Sequence, residues 1–233
     1  MNSVTLGSLE KAFSRGGNRL CFVDPRDPCR CIKIARSDKT PELKRQEKSF
    51  PKNLKPLQAF DDNYGEYAVF SRIEKTIGDE AFELIPRCYG FVETDFGDGL
   101  CVEMIRDDDG AISLSLKQYL WLYGKEPKLN KLLQQFSKRW QQLGIPSRNL
   151  LLHNMLVQQK AGEPHRLMVI DGLGWPDMLP LAYYSKAFAC YKAGRRLQKL
   201  ELAIAALLAK KNNGQDYGVH GWLSEEQRRG VGY

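Results

Sequence analysis

The stretch RNLLLHNMLV (148–157) is followed, after a polar gap, by LMVIDGLG (167–174), and the pairing of these two runs decides how the chain folds. Asn154 interrupts one apolar run, and Asp171 closes the other immediately before Gly172. Between them QQKAGEPHR (158–166) reads as a hairpin loop. A hairpin would fold 167–171 back onto 154–158 and bring an amide and a carboxylate to one end. Both offer hard oxygen atoms of the kind Mg²⁺ takes, alongside water and substrate phosphates. Each residue alone has a plainer reading: asparagine is a common cap or turn residue, and Asp-Gly is a common turn.

Upstream, the pattern is β-rich. LEKAFS, RLCFVD (after Gly16-Gly17) and CRCIKIA (after the turn DPRDP, 24–28) read as short strands, and residues 37–63, with Pro41, Pro51 and Pro56, as a loop or broken helix. GEYAVFSRIEKTI (65–77) places Tyr67, Phe70, Ile73 and Ile77 at helical spacing. CYGFVET and GLCVEMI predict two further strands, and the three aspartates of RDDDGAIS a solvated loop. From residue 111 onward the chain turns helical. LNKLLQQFSKRWQQLGI puts Leu129, Leu132, Leu133, Phe136, Trp140 and Leu143 on one face, and Gly144 stops it. Leu181 to Lys211 predicts two amphipathic helices, and residues 212–233 a loose tail. The expected division is a β-rich part over 1–105, an α-rich part over 106–215 and a tail over 216–233.

Composition bounds the function classes. At 42% hydrophobic and 27% charged residues, the chain is an ordinary globular protein. MNSVTLGSLEKAFSR shows no signal peptide, and the most apolar helical run, LELAIAALLA (200–209), is too short to span a bilayer, so a soluble cytoplasmic protein is expected. Six cysteines without a C-x-x-C pair, two of them spaced C-x-C at Cys29 and Cys31, fit reduced thiols better than a zinc set. Charge is blocked: residues 26–55 carry ten Lys/Arg against four Asp/Glu, 186–211 seven against one, and 61–110 four against fourteen. Such blocks are commonly solvated faces, and they also suit phosphate or acidic ligands. No helix-turn-helix, zinc finger or basic–aromatic interleaving supports nucleic-acid binding.

A β-rich half followed by a helical half, with a hairpin ending in Asp-Gly, is the plan of the protein-kinase-like fold. Four features resemble kinase motifs in the required order. CIKIA (31–35) resembles the V-A-I-K strand and offers Lys33 to nucleotide phosphates; Glu66 opens the next helix and would pair with Lys33. Ser147-Arg148-Asn149 through Asn154 lies over the H-R-D-x-x-x-x-N loop, and Asp171-Gly172 over D-F-G without its phenylalanine. The expected fold is therefore α+β and two-lobed, a β-rich N-terminal lobe and a short, mainly α C-terminal lobe. The expected cofactors are ATP and Mg²⁺, with Asn154 and Asp171 as metal ligands and Asn149 and Asp171 at the catalytic positions. Lys33, Glu66, Gly16, Gly17, Glu103 and Ile105 form the expected nucleotide-binding set. Asn149 stands where a catalytic aspartate is usual and cannot accept a proton; His153 is a local alternative base.

The likeness extends further. RGGNRLCFVDPRDPCRCIKIA, PRCYGFVETDFGDGLCVEMIRDDDGAISLSLKQYL, and LLLHNMLV with VIDGLG resemble the YrbL-like family, also called PhoP regulatory network proteins, over roughly residues 10–200. The resemblance implies a bacterial, cytoplasmic, kinase-like protein, similar to the small lipopolysaccharide-core sugar kinases. The absence of an A-P-E segment after Asp171 sets it apart from regulated protein kinases. The expected activity is Mg-ATP-dependent phosphoryl transfer to a hydroxyl, such as a lipopolysaccharide-core sugar or another small molecule. The alternative is a regulatory pseudokinase that binds nucleotide without turnover.

Overall fold

The computed structural model describes residues 3–174 and 184–229 and shows a mixed α+β protein. Its described residues divide into two compact units. One takes the chain up to Arg72, Arg87–Met104 and the segment from Glu225; the other takes Ile73–Pro86 and Ile105–Ser224.

The first unit is built on an antiparallel sheet of order β1-β2-β3-β5-β4: β1 (Ser14–Arg15), β2 (Arg19–Asp24), β3 (Asp27–Ala35), β4 (Cys88–Thr94) and β5 (Gly97–Glu103). Alternation in β2 sends Leu20 and Phe22 into a core with Val4, Leu6, Ile32 and Ile34. Cys31 to Ile34 are all buried, so this part of β3 is covered on both faces. Gly99 is required where β5 meets it, since a Cβ there would lie 2.5 Å from Ile32 Cγ2 and 2.7 Å from Ile34 Cδ1. Helix α1 (Pro41–Gln46) and short 3₁₀ turns make 37–60 the broken helix that its prolines predict. Asp61 caps helix α2 (Asp62–Thr76), its carboxylate accepting from Asn63 N at 2.8 Å. Tyr64 and Tyr67 of α2 pack on Phe91 of β4.

LEKAFS is not a strand. Asp95 accepts hydrogen bonds from the Leu6 and Gly7 amides at 2.8 and 2.9 Å, and the chain then turns through a 3₁₀ segment at Leu9–Lys11. Ser14 and Arg15 pair with β2, and Phe13 N donates to the Cys21 carbonyl at 3.0 Å.

The second unit contains β6 (Leu114–Ser115), β7 (Met155–Lys160) and β8 (Glu163–Val169), with helices α3 (Leu116–Tyr123), α4 (Pro127–Leu143) and α5 (Lys186–Asn212). Leu129, Leu133, Phe136, Trp140 and Leu143 form the buried stripe of α4, and Gly144 ends it in a left-handed conformation. A Cβ on Gly144 would sit 3.0 Å from Ala189 Cβ, so α5 packs close at its small residues.

Three expectations are corrected here. The loop 158–166 shrinks to the turn Ala161-Gly162, both residues at positive φ (50° and 74°), the geometry whose twist matches a two-residue hairpin. The polar residues around it are ladder residues, with Asp107 accepting from Gln159 N at 2.8 Å and Asp108 from Ala161 N at 2.8 Å. Asp107 is accordingly buried, also accepting from Ser113 Oγ at 2.6 Å, so RDDDGAIS is a staple on the hairpin and not a wholly solvated loop. Lys186–Asn212 is a single helix whose Ala189, Ala193, Leu197, Leu200, Ile204 and Leu207 make an unbroken inward stripe; Tyr184 is helical on the other side of the capping Ser185, and residues 181–183 lie outside the described residues. Finally, the tail is not loose in its described residues: 217–223 hydrogen-bond to α3, and α6 (Glu225–Arg229) buries Arg228.

All six cysteines are free thiols, and burial pushes Cys101 up to about 11, which makes it unreactive near neutral pH. No helix among the described residues is long and apolar enough to cross a membrane.

Candidate functional site

Two clusters gather the residues singled out from the sequence, one in each unit. In the first, β3 carries Lys33 into a buried position and α2 brings Glu66 to it: Lys33 Nζ lies 2.7 Å from Glu66 Oε1. A second cation shares that carboxylate, since Arg19, at the start of β2, bonds Glu66 Oε2. Asn63, one turn before Glu66, braces the group by donating to the Lys33 carbonyl at 2.9 Å and accepting from Arg19 at 3.3 Å. The pattern of β2 and β3 places Arg19, Cys21 and Lys33 on the face opposite the apolar core, and that placement draws both cations toward α2. Arg19 and Asn63 are not marked by any motif; their signal is positional, a cation heading an alternating strand and an amide one helical turn from Glu66.

The other members of the expected nucleotide set lie as follows. Gly16 and Gly17 form the exposed β1–β2 turn, and their carbonyls accept from the Arg36 guanidinium at 3.2 Å each. Glu103 ends β5 and accepts from Arg87 N at 3.0 Å. Ile105 is a core residue, packed with Leu156, Met168 and Ile170, and its carbonyl accepts from Ser113 N at 3.0 Å.

In the second unit the hairpin register, Met155 opposite Val169, closes next to the residues in question. Ile170 N donates to the Asn154 carbonyl at 2.9 Å, Arg148 N to the Gly172 carbonyl at 2.7 Å, and Gly174 N to the Pro146 carbonyl at 3.0 Å. Ser147 bridges Leu173. Segments 146–149 and 172–174 thus run alongside each other, and Asn149, Asn154 and Asp171-Gly172 gather in one place. Gly172, at φ 79°, is fixed by this closeness: a Cβ would meet the Asn149 carbonyl at 3.1 Å and the Asn154 amide at 3.7 Å. A phenylalanine after Asp171 would be strained at this φ and crowded against the Asn149 carbonyl. Asn149 itself is exposed, and Asp171 accepts from Gly172 N at 2.6 Å.

A carboxylate and an amide oxygen are donor types that Mg²⁺ accepts, so Asp171 and Asn154 could hold such an ion only with water or substrate oxygens filling its other positions. His153 precedes Asn154, and burial, the facing His220 ring and Lys117 together hold its imidazole below the usual value, against the pull of Asp171. Ser147 is fully buried, and its Oγ has no hydrogen-bond partner among the described residues. An unpaired buried hydroxyl costs about 1–3 kcal/mol. Ser147→Ala is therefore expected to stabilise the protein by about 1 kcal/mol, seen as a higher urea midpoint at unchanged slope. A drop of that size would show that the hydroxyl has a partner.

Comparison with known proteins places the chain. The family described as PhoP regulatory network protein YrbL matches residues 7–204. The chain belongs to that family. It is 29% identical over 205 residues to the protein named "Uncharacterized protein YrbL" of Escherichia coli (strain K12), covering 86% of this chain and 87% of that one. The YrbL protein of Shigella flexneri matches with the same identity and coverage.

Proposed function

We propose that this YrbL-family protein has the two-lobed kinase-like fold and transfers a phosphoryl group from Mg-ATP to a hydroxyl, on a lipopolysaccharide-core sugar or another small molecule. The observation that carries this reading is the buried Lys33–Glu66 pair, met by a helix glutamate at 2.7 Å. In an apolar strand a lysine usually keeps its tip in water; this one is 6% exposed and held by a carboxylate. Charge stabilisation and positioning are what phosphoryl transfer chiefly requires. Lys33 would take phosphate charge, Glu66 and Arg19 would hold it in place, and Asp171 and Asn154 would hold the metal. Bound Mg²⁺ would neutralise charge on the transferring phosphoryl group. Asn149 would orient the acceptor hydroxyl but cannot take its proton, and that substitution favours the second reading, a regulatory pseudokinase that binds nucleotide without turnover.

Both readings require nucleotide binding, which a melting experiment tests. Mg-ATP at one hundred times its dissociation constant should stabilise the fold by roughly 2.7 kcal/mol. Asp171→Ala should remove the magnesium-dependent part, and Asn154→Ala should reduce it less, because it deletes a neutral ligand. No shift of the wild-type melting temperature with millimolar Mg-ATP would refute both readings; analysis of products then separates them.

A further inference from the structure

The segment 217–223 lies in a seat built from α3 and the turn before β7. Gln118, 3% exposed, gives both ends of its amide to one strap residue: Nε2 donates to the Leu223 carbonyl at 2.8 Å and Oε1 accepts from Leu223 N at 3.1 Å. Ser115 Oγ and the Tyr217 hydroxyl both donate to the Gly221 carbonyl, at 2.6 and 3.0 Å. Lys117 donates to the His220 carbonyl at 2.9 Å while lying 4.0 Å from the centre of the Tyr217 ring, which meets Trp121 and Trp222 edge-on.

At Gly221 the segment touches the loop that carries Asn154. A Cβ on Gly221 would lie 2.5 Å from His153 Cβ and 3.2 Å from His153 Cα, and φ is 85° there. The His220 ring faces that of His153, with centroids 5.8 Å apart. Leu152–Asn154 is a single 3₁₀ turn without a side-chain cap, a form with poor hydrogen-bond geometry of its own. It is held by the Ile170–Asn154 bond on the hairpin side and by the Gly221 backbone against His153.

We infer that residues 217–223 are a positioning strap for the His153–Asn154 turn, and through it for Asn154; the metal-ligand role of Asn154 rests on the function proposed above. The strap lies beyond residues 7–204, the part that carries the family likeness, so it is a feature to be tested on this chain.

The test uses the full chain with Gly221→Ala, which puts a methyl group into His153, and separately Gln118→Leu, which removes both bonds to Leu223. Each variant should increase chymotrypsin cleavage at Tyr217 and Trp222, and amide exchange at 152–154, by roughly tenfold, with exchange in α4 unchanged. If Gly221→Ala does not fold, Gln118→Leu carries the same comparison. A loosened strap with unchanged exchange at 152–154 would overturn the proposal, as would a strap that neither variant loosens. For Asn154, the magnesium-dependent part of ATP affinity should fall roughly tenfold in the variants while magnesium-independent affinity holds. Raised exchange with magnesium dependence intact would overturn the ligand role of Asn154. A wild-type protein that does not bind Mg-ATP would overturn the proposed function, and the exchange result would still decide the strap.

Discussion

Glu66→Leu is expected to destabilise the protein by about 3–5 kcal/mol, the usual effect of removing one partner from a buried ion pair. The carboxylate holds two cations, with side-chain exposures of 7% for Lys33, 12% for Arg19 and 8% for Glu66 itself. Taking it away leaves both positive charges in a poorly solvated place without the group that joins them. The reverse deletion is gentler. In Lys33→Met the Glu66 carboxylate keeps its bond to Arg19, so the loss should be clearly smaller than for Glu66→Leu. Urea unfolding of the two single variants and the double variant measures the coupling directly. A loss below about 1 kcal/mol for Glu66→Leu would mean the network behaves as a solvated surface pair.

The second large effect concerns Asn149. Asn149→Asp changes shape little, and the side chain is exposed, so the new charge should be accepted without loss of fold. The neighbouring Arg148 N donates to the Gly172 carbonyl at 2.7 Å, a bond that the side-chain change leaves in place. For a slow kinase that lacks its base, phosphoryl transfer or ATP hydrolysis should rise by up to ~10²-fold. For a pseudokinase, nucleotide affinity should stay similar and turnover near zero. A marked fall in an existing wild-type activity contradicts both accounts, because it would make the neutral amide itself the group that positions the acceptor.

Much of this architecture could be read from residue patterns where a pattern is local. Alternation marks β2, the 3.6-residue stripe marks α4, and a lysine trapped among isoleucines marks Lys33. Patterns failed where the deciding partner is remote or where polarity hides a ladder. Residues 6 and 7 are held by Asp95, 89 and 88 positions away, so nothing near LEKAFS shows that it will turn. Gln158, Gln159 and Pro164 look like loop residues, yet they pair across β7 and β8 with their side chains only partly covered. Arg19 was invisible as a site residue for the same reason, its partner Glu66 lying 47 positions away on another element, and Asn63 because its partners Arg19 and Lys33 lie 44 and 30 positions away. The strap was hidden by the kind of bond that seats it, since YGVHGWL (217–223) docks largely through backbone carbonyls that no side-chain pattern encodes.

The separations of these contacts also order them in time. The hairpin that gathers Asn154 and Asp171 joins near neighbours in the chain, and such local contacts close quickly. The strap bonds join residues 103 to 106 positions apart. During synthesis, Ser115, Lys117, Gln118 and His153 all leave the ribosome before the residues that will cover them. In a growing chain the hairpin and the 3₁₀ turn are therefore complete before the residues that cover the turn exist.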